Sequence, residues 1–158
     1  MGLHGIKLHP DFQKFDIDSE GAYKIYEAAQ GRLLILFHTG DNRYDYSLPS
    51  KLAKVARDFP KLQCIAAHLG GYRRWEDALT TLRGMDNVMY DCSSSMSMLE
   101  PSYAESIMRT LGVEKIMFGS DFPMWSHKSE ADFLLSLGFD RIELEAIFSG
   151  NFKRFFNL

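Results

Sequence analysis

Apolar residues in this chain gather into short continuous runs, and stretches of helical periodicity separate the runs from one end to the other. Strands are predicted near 5–9, 33–38, 62–67, 87–91 and 115–119. Helices are predicted near 19–30, 49–58 and 73–84 and from Pro101 to about Gly112, with two more towards the end of the chain. The punctuation agrees with the periodicity. Asp18 or Ser19 opens the first helix as its N-cap, and Pro49 suits a first helical turn that leads into Leu52, Val55, Ala56 and Phe59. Gly84 marks a helix end, while Ser129 with Asp132 and Asp140 with Glu143 read as capping boxes for the last two helices.

Strand starts recur roughly every 24 to 30 residues, the size of a βα unit in a parallel sheet. The run 33–38 is continuously apolar up to its final histidine, which predicts a strand buried on both faces. With no linker or low-complexity stretch, residues 1–158 read as a single domain of five βα units. Two architectures have this pattern. A flavodoxin-like doubly wound sheet is complete with five strands, whereas an eight-stranded βα barrel needs about 250 residues and would be represented only by its later strands.

Composition narrows the function classes. The 158 residues are 46% hydrophobic and 25% charged with a net charge of −3, which describes a globular chain with no basic block for nucleic acid. The longest wholly apolar stretch, Leu33 to Phe37, is far too short to cross a bilayer, and no signal-peptide pattern opens the sequence. Cys64 and Cys92 read as reduced core thiols, so the expected setting is cytoplasmic.

The strand ends carry the chemistry. His38 closes the most hydrophobic run and is followed by Thr39-Gly40; His68 closes Ile65-Ala66-Ala67 and is followed by Leu69-Gly70-Gly71. A neutral imidazole on a stiff strand end is a good ligand for a borderline metal such as zinc, and a second one can ligate or orient a water. The plain alternative for each is a core histidine bonded to a nearby loop. Asp121, between Phe118-Gly119-Ser120 and Phe122-Pro123, can ligate a metal and take a proton, or it can cap the next segment. Lys7 and His9 lie two apart and face the same way on a strand, where a cation can hold a substrate carboxylate; Lys7 can equally be an edge-strand charge. Asp91 with Ser93, Ser94 and Ser95, the arginines Arg43 and Arg74, and the aromatic residues Tyr44, Tyr46, Trp75 and Trp125 are lesser candidates for the same mouth.

Gly5-Ile6-Lys7-Leu8-His9-Pro10, Phe37-His38-Thr39-Gly40, Ala67-His68-Leu69-Gly70-Gly71 with Trp75, and Phe118-Gly119-Ser120-Asp121-Phe122-Pro123 together resemble successive strand ends of the amidohydrolase superfamily. The likeness is to its metal-dependent hydrolase and decarboxylase branch, which includes aminocarboxymuconate-semialdehyde decarboxylase. The ending Gly150-Asn151-Phe152-Lys153-Arg154-Phe155-Phe156 is similar to the Gly-Asn-x-x-Arg-Leu-Phe close of that group. The resemblance implies an α/β fold of the (β/α)8 TIM-barrel type, with this chain matching about its fourth to eighth strands.

It also implies roles. His38 and Asp121 become metal ligands, His68 a second ligand or the residue that positions the attacking water, and Lys7 and His9 substrate-binding groups, Lys7 near the place of a carboxylated lysine in two-metal members. The cofactor implied is a divalent metal, zinc or else manganese. The family's first strand carries a His-x-His pair, and this sequence contains none. The site therefore reads as short of ligands, as in a chain whose front half is missing or one that a second chain completes. The expected function is a metal-dependent hydrolase that acts through a metal-activated water on a small anionic molecule. A decarboxylase of the same family and a catalytically incomplete half-barrel scaffold are the alternatives. Exposed sheet edges predict a homo-oligomer.

Overall fold

A computed structural model describes residues 2–158. Five strands form one fully parallel sheet in the order β1 to β5: β1 (Gly5–Leu8), β2 (Leu34–Phe37), β3 (Cys64–Ala66), β4 (Val88–Asp91) and β5 (Ile116–Met117). Strictly sequential order is that of a βα barrel laid open, and it excludes the doubly wound alternative, whose chain reverses direction across the sheet. The result is a partial barrel, with β1 and β5 as its two edges.

Helices return the chain between strands. They are α1 (Pro10–Gln13), α2 (Glu20–Ala29), α3 (Pro49–Asp58), α4 (Trp75–Thr81), α5 (Pro101–Leu111), α6 (His127–Leu135), α7 (Arg141–Glu145) and α8 (Asn151–Phe156). Ser19 caps α2 by accepting from the Ala22 backbone N–H, and Pro49 occupies the first turn of α3. Leu52, Val55, Ala56 and Phe59 are buried, as their spacing predicts. Asp140 and Glu143 form the reciprocal capping box at α7. Ser129 does not cap: α6 starts two residues before it, from Ser126, and the Ser129 hydroxyl donates to the Ser126 carbonyl instead. Helix α4 stops at Thr81, three residues before the predicted Gly84, where the backbone turns left-handed at φ +78°.

Register explains the core. Leu8, Phe37, Ala66, Tyr90 and Ile116 lie level across the sheet, as do Ile6, Ile35, Cys64 and Val88 one pleat earlier. These rows face the helices and, apart from the half-buried Ile6, are buried. The opposite face carries Lys7, Leu36, Ile65 and Met89, and there Leu34 and Leu36 are only half-buried. The expectation that 33–38 is buried on both sides is thus corrected: helices cover one face of β2, and the concave face, which a closed barrel would fill with layered side chains, stays open. Both cysteines are free and buried. Among the described residues no helix is long and apolar enough to cross a membrane.

Candidate active site

Because the strands end level, the residues that follow them leave the sheet at one rim. Lys7, His9, His38, His68 and Asp121, the five residues singled out from sequence, all line one cavity of about 410 Å³ there. Phe12, Asp41, Arg43, Tyr72, Ser94, Met124 and Trp125 complete its wall. His38 and His68 are buried, His9 is half-buried, and Lys7 and Asp121 lie on the open side.

The two strand-end histidines touch. His38 Nδ1 is 2.9 Å from His68 Nε2, and His68 Nδ1 is 2.9 Å from the backbone oxygen of Ser93. A carbonyl only accepts, so His68 Nδ1 carries the hydrogen and, in the neutral ring, Nε2 accepts from His38 Nδ1–H. His38 Nε2 is then a bare lone pair at the cavity. Burial is the main reason that the His38 pKa falls to about 2, with His68, His9 and Lys7 adding to it, so this imidazole is neutral at physiological pH. The carboxylate of Asp11 approaches to 3.9 Å, but beside a neutral ring that contact is no ion pair.

Asp121 projects from a backbone at φ +55° and accepts from Ser94 Oγ at 2.8 Å; Trp125 Nε1–H in turn donates to Ser94 Oγ at 3.0 Å. It caps no helix. Its carboxylate is oriented across the mouth by two side chains, one of which reaches it through the other. His68 (φ +62°), Leu69 (φ +54°) and Ser94 (φ +53°) share the left-handed conformation. Non-glycine residues held there cost about 1 kcal/mol or more each, and such strain concentrates at functional sites. Burial lowers the pKa of Lys7, while Asp91 and Asp121 oppose the shift and favour its charged form.

Several lesser candidates play other parts. Arg74 does not line the cavity: it donates to the Asp41 carbonyl and pairs with Asp45. Trp75 lies outside the mouth and donates to the His68 carbonyl at 3.1 Å, and Tyr44 and Tyr46 stack on each other. Arg43 does reach the cavity, gripping Asp41 with two donors at 3.0 and 2.7 Å, which holds that carboxyl below its usual range. Ser94, a lesser candidate from sequence, does line the cavity, whereas sequence reasoning missed Asp11 and Asp41. The one local signal for Asp11 was its place two residues after His9 at a strand exit.

Metal-capable atoms crowd most closely at the β1–β2 side. Among the described residues, His9, Asp11 and His38 form the one group of three such side chains whose ligand atoms all lie within 4.8 Å of one another. His38 Nε2 and Asp11 Oδ1 are buried and without a hydrogen-bond partner. An imidazole lone pair and a carboxylate left bare and buried beside each other suit a divalent cation.

The whole chain, residues 1–158, matches the Amidohydrolase family, and the protein belongs to it. It is 28% identical over 126 residues to the uncharacterized protein y4mH of Sinorhizobium fredii, a match covering 66% of this chain and 42% of that one. Its fold is similar to that of an uncharacterized TIM-barrel protein from Bordetella bronchiseptica, at TM-score 0.76 and 21% identity over 89% of this chain and 51% of the other. It is also similar to a dihydroxybenzoic acid decarboxylase from Polaromonas sp. JS666 with bound manganese and the inhibitor 2-nitroresorcinol, at TM-score 0.63 and 14% identity over 90% and 55%. The chain thus spans about half the length of the proteins it matches.

Proposed function

We propose that this chain carries the later half of a metal-dependent hydrolase site of the amidohydrolase type, acting on a small anionic substrate. The observation that carries the reading is the bare, buried Nε2 of His38, a residue that shares one cavity wall with Lys7, His68 and Asp121. A divalent metal, zinc or manganese, supplies Lewis-acid polarisation when bound. The other steps belong to the protein. The Lys7 ammonium holds the negative group of the substrate in a cavity of about 410 Å³, room for a small molecule. His68, its ring fixed by Ser93, holds the His38 imidazole in place through Nε2, and Asp121, oriented by Ser94 and Trp125, moves the proton.

A decarboxylase is the second reading. The manganese-bound relative is one, and Lys7 beside Asp121 would set a carboxylate-binding cation next to a proton carrier. One assay separates the readings: the purified chain with zinc or manganese against lactones, esters, amides and aromatic or unsaturated carboxylic acids. Hydrolysis that needs metal and falls about 100-fold or more in Asp121→Asn supports the hydrolase. Metal-dependent release of carbon dioxide selects the decarboxylase, and silence on both panels leaves a scaffold half-barrel. The open edges at β1 and β5 support a homo-oligomer, and the free buried thiols support a cytoplasmic setting.

A further inference from the structure

Two acceptor atoms face each other behind the rim with no hydrogen between them. His38 Nε2 and Asp11 Oδ1 are buried and unpartnered, and Asp11 Oδ2 stands 3.9 Å from His38 Nε2. The Asp11 side chain is wholly enclosed and that of His38 is 9% exposed. Asp11 Oδ2 already accepts from Ser47 Oγ, and His38 Nδ1 is committed to His68. With Asp11 ionised, neither residue therefore supplies the missing donor. Leaving a buried polar atom unmet costs about 1–3 kcal/mol, so a lone pair and a carboxylate aimed at one another ask for something positive between them.

We infer that Asp11 is a metal ligand, and that Asp11, His38 and His9 form a divalent-cation site carried entirely by the β1–α1 turn and the end of β2. The inference rests on the reading of His38 as a ligand, but it moves the carboxylate ligand from Asp121 to Asp11. Two imidazole nitrogens and one carboxylate oxygen are a donor set for zinc or manganese, with about 2.0–2.2 Å from metal to ligand. The three atoms now lie within 4.8 Å, so they close by an ångström or so around an ion. His38 and Asp11 are the anchors, because packing fixes both. His9 closes the site by turning. Its ring lies flat on His38, centroids 3.8 Å apart at 11°, and a ring lone pair points in the ring plane. The turn gives up only stacking and a long 3.4 Å contact from the Phe12 N–H, and Phe12 on the outer side is 70% exposed. His9-Pro10-Asp11 thereby offers two ligands one residue apart at a strand exit, in a chain that has no His-x-His.

The test is metal binding by the chain itself: stripped with chelator, then titrated with cobalt(II) by visible absorption and with zinc by calorimetry. The expected result is one equivalent bound. Loss of an outer-shell partner alone costs about 10–100-fold in affinity, so Asp11→Asn, which keeps volume and the acceptor for Ser47, should weaken binding by more than about 100-fold, as should His38→Ala. His9→Ala should cost less than either, and Asp121→Asn less than Asp11→Asn. Near-ultraviolet circular dichroism of Asp11→Asn, unchanged from the parent, shows that lost affinity is not lost folding. Binding that survives Asp11→Asn but is lost in Asp121→Asn would overturn the inference and leave the proposed function standing. No binding by the parent chain would remove both, the pair being bridged by water alone.

Discussion

The carbonyl oxygen of Ser93 lies 2.9 Å from His68 Nδ1, and this one backbone acceptor places the protons of two imidazoles. It fixes the hydrogen of His68 on Nδ1, which leaves Nε2 to accept from His38 and leaves His38 Nε2 bare. The carbonyl is itself held. Asp91 Oδ1 accepts from the Ser93 N–H at 2.9 Å, from the Ser93 hydroxyl and from the His68 N–H at 3.2 Å, tying the ends of β3 and β4 together.

Asp91 should therefore matter through position. Asp91→Ala strands two backbone donors, at about 1–3 kcal/mol for each that is shut off from water, so urea unfolding should show a loss of about 2–4 kcal/mol. Asp91→Asn keeps an acceptor and should recover most of it. In Asp91→Ala the nitrogen shifts of His68 should move towards a mixture of tautomers. Unchanged shifts would mean that the Ser93 carbonyl does not depend on Asp91.

The neutrality of His38 predicts a pH profile for the metal-free chain. Its folded pKa is about 2, against about 6.5 in the unfolded chain. Below pH 6.5 the unfolded state takes up a proton that the folded state refuses, so stability is complete above that pH and falls as acid is added, by up to about 1.4 kcal/mol per pH unit from this group. Burial lowers His9 in the same sense; it raises Asp11, which opposes the trend only towards the carboxylate range. Denaturant midpoints at pH 7.5, 6.5 and 5.5 should fall in that order, and His38→Gln should flatten the series. A flat parent profile would show that His38 is charged in the folded state.

The rim was legible because each apolar run ends in the residue that matters: a short hydrophobic stretch fixes a strand, and parallel strands in register place His9 and His38 at one level and His68 one residue beyond. The partners of those residues were not. Ser94 and Asp121 meet across 27 positions, and Ser47 reaches Asp11 across 36, so no local spacing announces either contact. The openness of the concave face was hidden too, since Leu34 and Leu36 look as buried in sequence as Ile35 and Phe37. Among the described residues, nothing packs over the face of the sheet that carries Leu34 and Leu36 fully enough to bury them.

Gly40 should tolerate no side chain. Its φ is +79°, and a Cβ there would lie 2.8 Å from the Tyr72 backbone nitrogen and 2.9 Å from the carbonyl carbon of Gly71, where the loop after β2 crosses the loop after β3. Left-handed strain and a backbone clash add up, so Gly40→Ala should cost roughly 2–4 kcal/mol. Gly84→Ala meets nothing within 4 Å and should cost only the strain of its φ of +78°. Thermal unfolding of the two variants side by side checks the difference; equal losses would mean that the loop crossing yields.

Asn151 tests whether the C-terminal motif belongs to the fold or to the site. It is fully buried, donates from Nδ2 to the carbonyls of Val113 and Ile116 at 2.8 and 2.6 Å, and accepts from Arg154 at 2.7 Å. It thus pins α8 to the start of β5, the end of the sheet remote from the rim. Asn151→Ala removes the donor to two carbonyls and should cost about 2–3 kcal/mol. Asn151→Asp should cost more, although it changes only one group, because it sets a carboxylate oxygen against two carbonyl oxygens. Metal affinity should stay within about twofold of the parent in both folded variants, since neither touches His38 or Asp11. Equal stability for Asp and Ala would show that the amide donates to neither carbonyl, and a large fall in metal affinity would bind this helix to the site.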